Sequence, residues 1–230
     1  MLTKDKIILS ADDLELESLF DLVKKIGDKI FGVKIHNLFD WHGQAVVSDL
    51  RSKGAKRIWV DFKLHDIPNT VKLRAKALAD AGADIITVHA SGGVDMMRAA
   101  KEGFGLGKVY AVTALTSLND ENIKNIYGCK NAEALVKNLA DLALEAGVDG
   151  IVCSPKEVSI IKSDLKFSKL QLVVPGVRSE NVKKDDQQRT GTPENTLKAG
   201  ADLLVVGRQI TQALDAVKAL ENLQKEIENV

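Results

Sequence analysis

The stretch Ile58-Trp59-Val60-Asp61-Phe62-Lys63-Leu64-His65-Asp66-Ile67-Pro68-Asn69-Thr70 passes from apolar residues into a dense set of charges. Ile58 to Val60 read as a buried strand, and Pro68 suits the first turn of a helix that follows. This is one strand-to-helix unit. Residues i and i+2 of a strand share a face, so Asp61 and Lys63 are expected to point the same way. Charges aimed into a small volume are costly unless paired, which marks the end of this strand as a place for chemistry.

The same unit recurs along the chain. Apolar runs at Lys6–Ser10, Phe31–Ile35, Arg57–Phe62, Asp84–His89, Lys108–Thr113, Gly150–Cys153, Gln171–Val174 and Asp202–Val206 predict eight strands. Helical patterns fall between or after them, including Leu14–Ile26, Thr70–Ala81, Asn131–Ala146 and Gln212–Ile227. Strands alternating with helices imply right-handed parallel crossovers. Eight such units in 230 residues fit a single-domain (β/α)8 TIM barrel, whose typical length is about 250 residues.

An internal echo supports that reading. Ala81-Gly82-Ala83-Asp84, Ala146-Gly147-Val148-Asp149 and Ala199-Gly200-Ala201-Asp202 each stand between a helical pattern and an apolar run. Glycine there fits the left-handed turn that ends a helix. Nothing resembles an interdomain linker. Gly103–Lys108 and the polar Ser179–Thr192 read as the loosest segments.

Composition narrows the function classes. Lys plus Arg and Asp plus Glu are both 32, so no net field draws the chain to nucleic acid or an anionic membrane. Small molecules are the expected partners. Cys129 and Cys153 form neither a CxxC pair nor a metal-ligand cluster and read as reduced thiols. No run reaches the roughly 18 apolar residues of a membrane span, and the chain is expected to be cytoplasmic.

In a barrel of this class the active site lies at the carboxyl ends of the strands. Asp12, Lys34, Asp61, Lys63, His89, Thr113 and Thr116 follow or close the first five runs. Pro175-Gly176-Val177-Arg178 follows the seventh, and Gly207-Arg208 the eighth. The loops after strands seven and eight commonly hold a phosphate, with glycine admitting the ligand to the backbone and arginine forking onto its oxygens. Single residues have plainer roles open to them. Asp66 fits a helix cap, Lys34 a strand-end lysine reaching water, and His89 a hydrogen-bonded core histidine. Their convergence on one rim is what argues for a site.

The run Asp61-x-Lys63-x-x-Asp66-Ile67-Pro68-x-Thr70 resembles the signature of the orotidine 5'-monophosphate decarboxylase family. Asp-x-Lys-x-x-Asp alone is shared with sugar-phosphate decarboxylases and synthases of the same superfamily, which use Mg²⁺; Ile-Pro-x-Thr narrows the match. Val88-His89-Ala90-Ser91-Gly92-Gly93, Val152-Cys153-Ser154, Pro175-Gly176-Val177-Arg178, Asp186-Gln187-x-Arg189-x-x-Thr192-Pro193 and Val206-Gly207-Arg208-x-Ile210-Thr211 continue it in family order.

The resemblance implies a cofactor-free, metal-free homodimer acting on orotidine 5'-monophosphate. Lys34, Asp61, Lys63 and Asp66 would form its charge network, with Lys63 the proton donor. Asp66, alongside Ile67 and Thr70, would serve the partner subunit's site. Asp12 would bind ribose hydroxyls, Thr116 the pyrimidine, and Arg178, Gln187, Gly207 and Arg208 the phosphate end. Apart from the resemblance, the polar loop Ser179–Thr192, which carries Gln187, is expected to be a lid that orders over bound nucleotide. Two departures stand out: Asp13 follows Asp12 and competes with it for the ribose role, and His36 stands where the family usually has glycine.

Overall fold

Each apolar run becomes a strand because its alternate residues have two apolar surroundings to fill. In the computed structural model, which describes residues 3–179 and 189–230, the strands are β1 (Ile7–Ser10), β2 (Gly32–Ile35), β3 (Ile58–Leu64) and β4 (Ile85–His89), then β5 (Lys108–Val112), β6 (Gly150–Val152), β7 (Gln171–Val174) and β8 (Leu203–Val206). All pair in parallel in chain order, and β1 pairs with β8 to close the barrel. The predicted eight-stranded barrel is the observed fold.

The helices are α1 (Leu16–Ile26), α2 (Asn37–His42), α3 (Ala45–Ser52), α4 (Pro68–Asp80), α5 (Val94–Phe104) and α6 (Asp120–Tyr127), followed by α7 (Ala132–Ala146), α8 (Val158–Lys162), α9 (Pro193–Lys198), α10 (Arg208–Thr211) and α11 (Ala216–Glu226). Outward strand residues such as Ile7, Leu9, Val33, Ile58, Val60 and Leu172 join the helices in the main core. Inward residues Ile8, Phe31, Trp59, Ile85, Tyr110, Val173, Leu203 and Val205 pack together inside the barrel. They plug its floor, and the polar inward residues of the same strands lie above them.

The three echoed glycines do what their spacing predicts. Gly82, Gly147 and Gly200 hold φ of 87°, 72° and 108°, the left-handed turn through which each helix ends. Most element boundaries shift by a residue or two from the sequence pattern, and two differences have a clear physical cause. The last helix begins at Ala216 rather than Gln212, because the Asp215 carboxylate accepts the Lys218 N–H and starts a new helix there. Gly103 is helical, not loose: a Cβ on it would stand 2.2 Å from the Lys72 carbonyl oxygen, so glycine lets α5 lie close against α4.

Candidate active site

A cleft of ≈ 480 Å³ opens at the carboxyl ends of the strands, within the range that takes a small-molecule ligand. Ser10, Asp12 and Asp13 line it from the end of β1, Lys34 from β2, and Asp61 and Lys63 from β3. Thr116 enters after β5, Cys153 after β6, Arg178 after β7, and Gly207, Arg208 and Gln209 after β8.

One chain of opposite charges crosses this cleft. Ser10 Oγ donates to Asp12 Oδ2 at 2.6 Å, and Lys34 Nζ donates to the same oxygen at 2.7 Å. Lys34 Nζ also lies 3.1 Å from Asp61 Oδ2, which accepts from Lys63 Nζ at 2.8 Å. Lys34 and Asp61 are almost wholly buried, whereas Lys63 keeps over a third of its side chain exposed. Burial would push the Lys34 ammonium down, but Asp61 and Asp12 outweigh it and hold the group above the ordinary lysine range. Burial would likewise raise Asp61; Lys34, Lys63 and the Thr87 hydrogen bond reverse that and keep it below the usual carboxylate range. Both groups are therefore charged at neutral pH.

Lys63 reaches Asp61 by a route that strand periodicity does not supply. Between Val60 and Leu64 the pairing advances four residues on β3 while β4 advances two, from Ile86 to Val88. The strand bulges, and Lys63 takes φ 48°, the one non-glycine positive φ among the described residues. The expected meeting of Asp61 and Lys63 occurs, but the bulge rather than a regular pleat aims the ammonium.

The neighbouring carboxylates at the end of β1 divide their work. Asp12 faces Lys34, whereas Asp13 turns to the segment after the adjacent strand β8, accepting from Thr211 Oγ1 at 2.9 Å and Gln212 Nε2 at 2.8 Å. His36 Nδ1 accepts the Asn37 N–H at 2.6 Å, which leaves Nε2 facing Asp12 Oδ1 at 3.4 Å. His36 thus starts α2 and braces Asp12.

Comparison with known proteins adds an independent line. Residues 5–223 match the model of the orotidine 5'-phosphate decarboxylase / HUMPS family. A Lactobacillus delbrueckii subsp. bulgaricus protein named orotidine 5'-phosphate decarboxylase is 44% identical, over 96% of this chain and 95% of its own. One of the same name from Saccharophagus degradans is 40% identical, over 96% and 94% respectively. The crystal structure of orotidine 5'-phosphate decarboxylase from Lactobacillus acidophilus superposes with a TM-score of 0.81 at 35% identity, over 96% of this chain and 99% of that one. The chain belongs to the orotidine 5'-phosphate decarboxylase family.

The residues that the family signature singles out fall into two groups. Asp12, Lys34, Asp61, Lys63, Thr116, Arg178, Gly207 and Arg208 all line the one cleft. Asp66, Ile67 and Thr70 do not. Asp66 is exposed and its Oδ1 accepts only the N–H of Ile67, at 2.7 Å, so no side chain caps α4 and the plain capping role is not observed; Ile67 is 66% exposed at the start of α4. Gln187 and residues 180–188 of the expected lid lie outside the described residues.

Glycine at 207 has a steric reason: a Cβ there would sit 3.2 Å from the Ser10 carbonyl oxygen. Ser179 and Gln209 tie the loops after β7 and β8 together, with Ser179 N–H donating to Gln209 Oε1 at 3.0 Å and Gln209 Nε2 to Ser179 Oγ at 2.6 Å.

Several residues of the site's framework carry no assigned role in the sequence reading. Glu157 accepts the Ser154 N–H and the buried Arg189 guanidinium, the latter at 2.8 Å. Arg189 also donates to the carbonyls of Ala114 and Leu115, so one buried ion pair joins the loops after β5, β6 and β7. Thr87 donates to Asp61 from inside an apolar strand. Threonine is an ordinary strand residue, and only its hydroxyl's neighbour reveals a task. Cys153 is a buried free thiol that burial pushes up, away from the reactive thiolate. Among the described residues, no helix is long and apolar enough to cross a membrane.

Proposed function

We propose that this protein catalyses cofactor-independent decarboxylation of orotidine 5'-monophosphate to uridine 5'-monophosphate, the last step of de novo pyrimidine nucleotide synthesis, with Lys63 as proton donor. The carrying observation is the Lys63 ammonium held 2.8 Å from Asp61 at the rim of a cleft that Lys34 and Asp12 continue. Family membership over nearly the whole chain supports the same reaction.

The bond from C6 to the carboxylate breaks, carbon dioxide departs, and the electron pair stays on C6. An ammonium beside that carbon stabilises the developing negative charge and then transfers its proton to it. Asp61 holds Lys63 in place, and Lys34 balances the charge of Asp61. Asp12 takes the ribose hydroxyls and Thr116 the pyrimidine. Arg178, Gln187, Gly207 and Arg208 take the phosphate, which is remote from the bond that breaks and serves to fix the base over Lys63.

In this reading two chains form a homodimer in the cytoplasm, and Asp66, Ile67 and Thr70 complete the partner's site. Their position outside their own cleft supports that assignment. The reaction is tested by incubating the purified protein with orotidine 5'-monophosphate in the presence of EDTA. Equal amounts of uridine 5'-monophosphate and carbon dioxide are expected. Inactivity with EDTA that Mg²⁺ restores would favour the metal-dependent branch of the superfamily instead.

A further inference from the structure

Asp61 offers two oxygens with unequal neighbours. Both ammoniums lie on Oδ2, with Lys63 Nζ at 2.8 Å and Lys34 Nζ at 3.1 Å. Oδ1 receives the Thr87 hydroxyl at 2.5 Å. Thr87 is fully buried, so no water competes for its proton. A hydroxyl has one proton to give, and Trp59 decides where it goes. The Trp59 indole N–H, a donor only, reaches Thr87 Oγ1 at 3.2 Å. It occupies an acceptor position on that oxygen and leaves the O–H for Asp61. The direction Trp59 to Thr87 to Asp61 therefore follows from the chemistry of the three groups.

Strand register brings them together. Val60 pairs with Ile86, so the next residues up, Asp61 and Thr87, stand side by side on β3 and β4 facing into the barrel. Trp59 lies two residues below Asp61 on the same face, held edge-on against Tyr110 with ring centroids 5.6 Å apart.

We propose that Thr87 is a positioning residue for the reaction, and that Trp59 fixes the direction of its hydrogen bond. Together they hold Asp61 as a carboxylate with Oδ2 turned to the two lysines. Thr87 acts through Asp61, and the inference rests on the reading of Lys63 as the acid. The charged and titratable groups facing Asp61 are Lys34 from β2 and Lys63 from its own strand, then Asp12 behind Lys34 and His89 from β4 with His65 against it. Without the hydroxyl the two lysines still oppose protonation of Asp61, so its loss shifts the titration rather than abolishing the charge.

The test measures kcat/KM for orotidine 5'-monophosphate against pH in the wild type, Thr87→Val, Thr87→Ser and Trp59→Phe. Valine keeps the branched shape but leaves Oδ1 buried without its donor. A loss of about ten- to a hundredfold is expected at neutral pH, with the acid limb moved to higher pH. Serine restores most of both. Trp59→Phe gives a smaller loss in the same direction, because the hydroxyl regains its rotation.

Wild-type values and an unmoved acid limb in Thr87→Val overturn the proposal, as does a serine variant no better than valine. If the valine variant fails to fold, Trp59→Phe decides, and an unaltered profile there overturns it. An inactive wild type would overturn the functional reading itself, a result distinct from an active wild type matched by its variants.

Discussion

Lys63 Nζ meets Asp61 Oδ2 at 2.8 Å only because Lys63 holds φ 48° in a bulge of β3. A side chain in that region is strained by roughly 1–2 kcal/mol relative to the right-handed conformation, and glycine escapes the strain. Lys63→Gly and Lys63→Ala both remove the ammonium, so the difference between them isolates the backbone. The glycine variant is expected to be more stable by about 1 kcal/mol in chemical denaturation. An alanine variant as stable as the glycine variant would show that the bulge is relaxed.

Asp12 and Asp13 are adjacent in sequence and separate in role. Asp12 holds Lys34, whereas Asp13 is bound to Thr211 and Gln212. Asp12→Asn should lower kcat/KM by about a hundredfold, on the scale of one charge-assisted contact. Asp13→Asn should act mainly on KM. Steady-state kinetics of the two variants check the assignment, and equal losses in kcat contradict it.

The barrel was legible because alternating apolar runs and the recurring Ala-Gly-x-Asp turns are local signals. Asp61 and Lys63 were legible because charge inside an apolar run is conspicuous. Thr87 was not, since a strand threonine carries no sign of its neighbour. Glu157 and Arg189 lie 32 residues apart and meet only through the closure of the barrel. Asp66, Ile67 and Thr70 do not line their own cleft, and nothing local in a helix start reveals that.

His89 supplies a pH dependence of stability. Burial, then the neighbouring His65 and Lys63, hold its imidazole below the ordinary histidine range. The unfolded chain takes up a proton near pH 6.5 that the folded chain declines. Below that pH the unfolded state binds more protons, so stability present above about 6.5 is lost as pH falls through the lower folded value. Urea midpoints measured from pH 7.5 to 5 should decline less steeply in His89→Asn. Parallel slopes would refute this.

Arg189 and Glu157 form a buried pair whose members lack water to replace each other. Arg189→Met leaves the Glu157 carboxylate buried against the Ser154 N–H alone among its described charged and backbone partners. The expected cost is about 3–5 kcal/mol. Removing both partners, as in Arg189→Met with Glu157→Leu, should recover part of it. Calorimetric melting of the single and double variants checks the sign of that coupling.

The assignment of Lys63 as the acid is tested most directly by Lys63→Ala. Loss of orotidine 5'-monophosphate absorbance gives turnover, and titration calorimetry with uridine 5'-monophosphate gives binding. The account predicts that turnover collapses by several orders of magnitude while the product still binds within about tenfold of wild type, since Arg178, Gly207 and Arg208 line the cleft apart from β3. Turnover within tenfold of wild type in the folded variant would contradict it.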